Sequence, residues 1–194
     1  MNIESLLVGS MKSETLSPTM ERLLGLKELT ICSCQNLKAL PRSITKLKQI
    51  QKLFLKDNKA LDTFPNPLTH WTELTILAIE NCPSIPSLPD SIGCCSNLKT
   101  VKIIGCMKFA HLPETISLCM KLEELKLVEV AIETLPKTIK GCFNLKSMQL
   151  HSCNRLSSFP SGMSNCSKLS SLAIVDCQAL TSIPKDFGEC ASIK

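Results

Sequence analysis

Twelve cysteines and three histidines are the residues of this chain that could do chemistry, as thiolate nucleophiles, disulfide partners or zinc ligands. Their spacing points elsewhere. Structural zinc sites draw on paired C-x2-C spacings, and the nearest approaches here are Cys32-Ser33-Cys34 and the adjacent Cys94 and Cys95. Most of the cysteines instead fall into two columns. Cys34, Cys82, Cys106, Cys153 and Cys177 recur at one position, where Asn58 and Val130 stand in for them. Cys95, Cys119, Cys142, Cys166 and Cys190 recur at a second, where Leu47 and Trp71 do. Leu, Trp and Val as alternatives mark both sites as apolar and buried, so the cysteine acts as a small hydrophobe. Stacked copies about 4.8 Å apart, with parallel Cβ vectors, fit the disulfide torsion poorly. The thiols are therefore expected to be reduced, in an intracellular, cytoplasmic compartment. Asn165-Cys166-Ser167 spells a glycosylation acceptor, read as chance because Cys166 falls in a buried column. His70, His111 and His151 occupy unrelated positions, and no nucleophile stands beside a base. The chain is expected not to be an enzyme and to use no cofactor or metal.

The elements that position these columns are copies of one unit. From Leu26 to Ile44 the apolar residues are Leu26, Leu29, Ile31, Cys34, Leu37, Leu40 and Ile44. A first step of two suits a strand with one buried face, and later steps of three suit a turn or tight helical coil. Equivalent starts follow at Ile50, Leu74, Leu98, Leu122, Leu145, Leu169 and Ile193, 24 residues apart except for one step of 23. Strand pairs recur as Leu29/Ile31, Leu53/Leu55, Leu77/Ile79, Val101/Ile103, Leu125/Leu127, Met148/Leu150 and Leu172/Ile174. A return pair recurs from Leu40-Pro41 to Ile183-Pro184, its proline suited to the first residue of a short helical segment. Upstream, Ile3, Leu6, Val8, Met11, Leu16 and Met20 fit a degenerate copy.

One unit cannot bury its apolar edge alone, so copies must stack. The expected fold is an α/β solenoid: a parallel sheet on the concave face, with short α or 3₁₀ segments on the convex face. The whole chain, 1–194, reads as one domain, with a degenerate first repeat at 1–25, seven repeats over 26–192 and the start of another at 193–194. Neither end carries a polar cap, which suggests a piece of a longer array.

This pattern identifies a leucine-rich-repeat array. Its form, Leu-x-x-Leu-x-Ile-x-x-Cys-x-x-Leu-x-x-Leu-Pro-x-x-Ile, resembles the repeats of plant intracellular nucleotide-binding leucine-rich-repeat receptors, the disease-resistance proteins. The short unit, Leu125 to Pro136 with Val130-Ala131-Ile132, resembles one that those receptors mix with Cys-containing units. Their phosphate-binding loop, G-x-x-x-x-G-K-[ST], is absent from these residues. The resemblance implies a non-catalytic, ligand-sensing or autoinhibitory recognition region that continues into further repeats or packs on a nucleotide-binding domain. Leu-Pro-x-x-Ile is shared with Ras-group repeat proteins, so an intracellular scaffold, adaptor or ubiquitin-ligase substrate receptor is the alternative.

Composition narrows the partners. A net charge of +5, aromatics at 4% and no Tyr, with lysines and glutamates interleaved, argue against nucleic acid. No apolar stretch is long enough to cross a bilayer, so a membrane is not an expected partner. What remains is a protein. Residues flanking the strand pairs face the concave side and have no folding reason to be large and apolar. Phe54, Ile76, Ile104 and Val128 occupy such positions in successive units, with Lys52, Lys102, Lys126 and His151 beside them. They are expected to form one apolar patch with a basic margin, suited to a partner with an acidic rim around an apolar anchor.

Overall fold

The computed structural model describes residues 3–183. Pro184, Cys190, Ile193 and Lys194, on which the last return pair, the end of the second cysteine column and the truncated repeat fall, lie outside the described residues.

Eight strands form one open parallel sheet in chain order: β1 (Ser5–Gly9), β2 (Glu28–Cys32), β3 (Lys52–Lys56), β4 (Ile76–Glu80), β5 (Thr100–Ile104), β6 (Glu124–Val128), β7 (Ser147–His151) and β8 (Ser171–Val175). Each pair of neighbours is in full register, so Leu29 pairs Leu53, then Leu77, Val101, Leu125, Met148 and Leu172. The second and fourth residues of β2, β3, β5, β6 and β7 are fully buried, whereas the flanking ones are exposed in part. Alternation across the pleat produces this, and it fixes the register, because a slip of one residue would turn every leucine outward.

Each strand is followed by a residue with positive φ: Ser10, Ser33, Asp57, Asn81, Gly105, Glu129, Ser152 and Asp176. This left-handed step turns the chain off the sheet. Only Gly105 adopts it without crowding of a Cβ, and only Gly105 has no room for one, since a Cβ there would meet Asn81 Oδ1 at 2.5 Å.

The chain returns through 3₁₀ segments at Arg42–Lys46, Asp90–Cys94, Glu114–Leu118 and Lys137–Gly141, with others at Pro18–Arg22 and Met163–Asn165. No α-helix occurs among the described residues. Pro41, Pro89, Pro113 and Pro136 sit one residue earlier than the first-helical-residue position expected from the sequence, as extended N-caps. The reason is that their carbonyls accept the first helical hydrogen bonds, from Ile44, Ile92, Ile116 and Ile139. The unit beginning at Ile50 has no 3₁₀ segment, because Pro65 and Pro67 hold Asn66 between them and the residue before a proline is driven to extended backbone. The N–H of Leu68 there finds the Ser91 hydroxyl of the next unit, at 3.0 Å.

One continuous core lies between the concave sheet and the convex 3₁₀ layer, with Trp71 and Phe109 its largest fully buried side chains. Met11, expected to point inward, is exposed, since among the described residues no earlier unit packs against it.

The described members of both cysteine columns lie in this core, Cys177 half-buried at its edge, and they do more than fill space. Asn58, fully buried, accepts the backbone N–H of Cys34 at 3.0 Å and donates to the Ile31 carbonyl at 2.9 Å, in the preceding unit. In the same relation Cys106 donates to Ile79, Cys153 to Leu127 and Cys177 to Leu150. In the second column the thiols of Cys119, Cys142 and Cys166 and the Trp71 indole N–H donate to the carbonyl of a 3₁₀ residue one unit earlier. Each column thus ties unit to unit. Burial pushes the thiols of Cys95, Cys106, Cys119, Cys142 and Cys153 up to about 12.

Candidate functional site

With the second and fourth residues of each strand committed to the core, the first, third and fifth form three parallel rows on the concave face. The fifth row runs Cys32, Lys56, Glu80, Ile104, Val128, His151, Val175. Its last four members make an unbroken stripe of three β-branched residues and one imidazole. His151 Nε2 is buried and has no hydrogen-bond partner among the described residues. It lies in the one apolar stretch of the row, where a polar nitrogen is costly unless something pairs with it.

The other predicted residues sit elsewhere. Phe54 belongs to the third row, between Thr30 and Ala78, and Ile76 to the first, between Lys52 and Thr100. The single patch expected from the sequence is therefore two groups: Phe54 with Ala78 and the diagonal Ile76, and the stripe from Ile104 to Val175. Glu80 and Lys102 stand between them. Flanking positions look equivalent in sequence, but the place of a residue within its strand decides its row.

The basic margin is also smaller than expected. Lys52 pairs with Glu28 at 3.2 Å, Lys56 with Glu80 at 3.9 Å and Lys102 with Glu124 at 3.2 Å. These are diagonal or cross-strand partners within reach of long side chains. Lys126, in the third row between Lys102 and Gln149, has no carboxylate partner among the described residues and carries the unbalanced charge of this face.

Beyond the fifth row the chain turns into loops, and the unit beginning at Leu122 is the short one. Its missing residue lies between Val130 and Ile132, where other units leave two residues, as between Cys106 and Phe109. The gap opens a depression of about 200 Å³ bordered by Met107, Val130, Ala131 and Arg155, with Glu129, Ser152 and Asn154. Arg155 is held by an ion pair to Glu133. The depression adjoins Val128 and His151 along the chain, through Glu129 and Ser152.

Sequence reasoning missed Leu7 and Val175, which are 68% and 44% exposed on the concave face. The rule that singled out Phe54 would have found both had it been applied to the first and last strands. His70 and His111 are exposed and lie outside the strands, on the return segments of their units. Among the described residues no group of three or more His, Cys, Asp or Glu side chains is placed to hold a metal ion, and no helix is long and apolar enough to cross a membrane.

No family model matches the sequence, and no curated protein matches it. Solved structures do match the fold. The leucine-rich-repeat domain of the type III effector XopL superposes with a TM-score of 0.67 at 22% identity, over 98% of this chain and 62% of that one. Toll, in its complex with Spatzle from Drosophila, gives a TM-score of 0.73 at 20% identity, over 89% of this chain and 23% of that one. The chain thus spans less than two thirds of either neighbour. A sheet with one strand per repeat, consecutive and parallel, backed by short 3₁₀ returns and matched by these two neighbours, is the fold of a leucine-rich-repeat solenoid.

Proposed function

We propose that this chain is a non-catalytic recognition module that binds a protein on its concave sheet. The observation that carries this reading is the stripe Ile104, Val128, His151 and Val175, which is not needed to close the core and holds a buried, unpaired imidazole nitrogen. An apolar side chain of a partner laid along the stripe, with a carboxylate reaching Lys126, would match both the apolar row and the uncompensated charge beside it. Toll, one of the structural neighbours, is itself described bound to the protein Spatzle.

We infer further that the module is the ligand-sensing or autoinhibitory region of an intracellular immune receptor. Support comes from the Cys-containing repeat with its interspersed shorter unit. It comes also from two columns of buried thiols that suit a reducing compartment.

The test places a photocrosslinking residue at Val128, and separately at Ser117 on the convex side, in cells expressing the chain. Protein adducts at Val128 that disappear on the Ile104→Ser/Val175→Ser change support the concave site. Adducts that survive it, or form equally at Ser117, reject it. Phe54→Ser tested alone reports whether the second apolar group takes part.

A further inference from the structure

A second surface lies off the concave face, on the flank where the chain passes from the 3₁₀ segments into the strands. Leu118, Met120 and Phe143 are 57%, 55% and 51% exposed there, among the most exposed large apolar side chains of the chain. Met120 and Phe143 hold the same place in successive units, directly after Cys119 and Cys142. Lys48, Thr72, Ser96 and Ser167 fill that place in other units, so folding does not require an apolar residue. The Leu118 side chain lies back over Gly93, within 3.1 Å of where a Cβ on that glycine would stand, and so extends the apolar area toward the earlier unit.

Around these residues the charge is one-sided. Lys99, Lys121, Lys146 and Lys168 are all exposed on this flank. Lys146 donates to Glu123 at 2.8 Å. That hydrogen bond holds the Glu123 carboxyl below the usual carboxylate range, against desolvation, with the fields of Lys146, Lys99 and Lys168 adding to it. One carboxylate thus answers several lysines. Lys121 and Lys168 donate instead to the amide oxygens of Asn97 and Asn144, at 2.6 Å and 2.7 Å. An amide oxygen holds an ammonium in place without cancelling its charge. Glu73 touches the cluster only at its edge, 3.5 Å from Asn97.

We propose that this flank is a docking surface for an acidic protein segment that carries an apolar side chain between carboxylates. The apolar side chain packs on Met120 and Phe143, and the carboxylates meet Lys99, Lys121 and Lys168. Methionine and aromatic residues are the types enriched where proteins meet, and unbalanced charge around them selects an acidic partner and speeds its arrival. Ammonium groups fixed by asparagines two units apart suit a polypeptide with carboxylates at set spacing better than a fluid anionic lipid surface.

The probe is a fluorescent peptide in which glutamates flank a central leucine–phenylalanine pair, followed by anisotropy at low salt. Vesicles of phosphatidylcholine with phosphatidylserine, followed by sedimentation, form the second arm. The expected result is peptide binding that weakens about tenfold or more in Met120→Ser/Phe143→Ser and again in Lys99→Glu/Lys168→Glu. Ile104→Ser/Val175→Ser, on the concave face, should leave it unchanged, which separates this surface from the recognition site proposed above. Ile104 is half-buried and the other altered side chains are exposed, and circular dichroism checks that each variant is folded. Absence of peptide binding overturns the proposal, as does binding that survives the Met120→Ser/Phe143→Ser change. Vesicle binding without peptide binding replaces it with a lipid-facing surface.

Discussion

Replacing Asn58 tests whether the first cysteine column ties the units together or merely fills space. Asn58 is fully buried and serves two backbone groups of the preceding unit, the Cys34 N–H at 3.0 Å and the Ile31 carbonyl at 2.9 Å. Asn58→Ala leaves both without a partner and out of reach of water. At about 1–3 kcal/mol for each stranded group, the loss should be about 2–6 kcal/mol. Asn58→Cys should cost about 1 kcal/mol, because a thiol at this position does both tasks elsewhere. Cys106 donates to the Ile79 carbonyl at 3.7 Å while its sulfur accepts the backbone N–H of Cys82. A long thiol hydrogen bond is weaker than an amide one, hence the residual cost. Asn58→Leu should behave like Asn58→Ala or worse. Urea unfolding by circular dichroism, with an unchanged slope across the series, measures the differences. Equal destabilisation by Cys and Ala, or an Asn58→Leu variant as stable as the parent, would refute the reasoning and return the column to a purely apolar role.

Other outcomes follow from the same geometry. Leu125→Ala, fully buried in mid-array, should lose about 2–5 kcal/mol, and its concave neighbour Lys126→Ala less than about 0.5, by the same assay; equal losses would mean the faces are assigned wrongly. Gly105→Ala should lose about 1–3 kcal/mol, since φ is +66° and the new Cβ would press on Asn81 Oδ1, whereas Glu129→Gly at the matching turn should be neutral or stabilising. Burial raises several core thiols from 9.0 to about 12, so the folded state holds protons that the unfolded state releases first. Stability should be complete below pH 9 and fall between pH 9 and 12, by up to about 1.4 kcal/mol per pH unit for each such thiol, read as a falling urea midpoint. At neutral pH a bulky thiol reagent should label exposed Cys94 first, Cys32 and Cys177 slowly, and the buried thiols such as Cys34, Cys106 and Cys119 only on unfolding.

The sequence by itself determined the unit, its period and the two faces of every strand, because local alternation and a recurring Leu-Pro return specify one packing wherever a copy lies on either side. Leu29/Ile31 and its equivalents could be assigned to the core, and the neighbouring residues to the open face, without knowing what they touch. Tertiary structure alone decided what stacking brings together. Asn58 reaches Ile31, and Cys119 reaches Ile92, across 27 residues of chain, so a column that reads as plain hydrophobes proves to be a ladder of donors. Phe54, Ile76 and Ile104 each read as concave, yet register places them in the third, first and fifth rows and divides the patch. Lys102 meets Glu124 from the next strand, while Lys126 is left without a carboxylate among the described residues. Sequence spacing fixes the direction of a side chain relative to its own strand. Its neighbours on the surface come from adjacent units, and only the register between strands sets which residues those are.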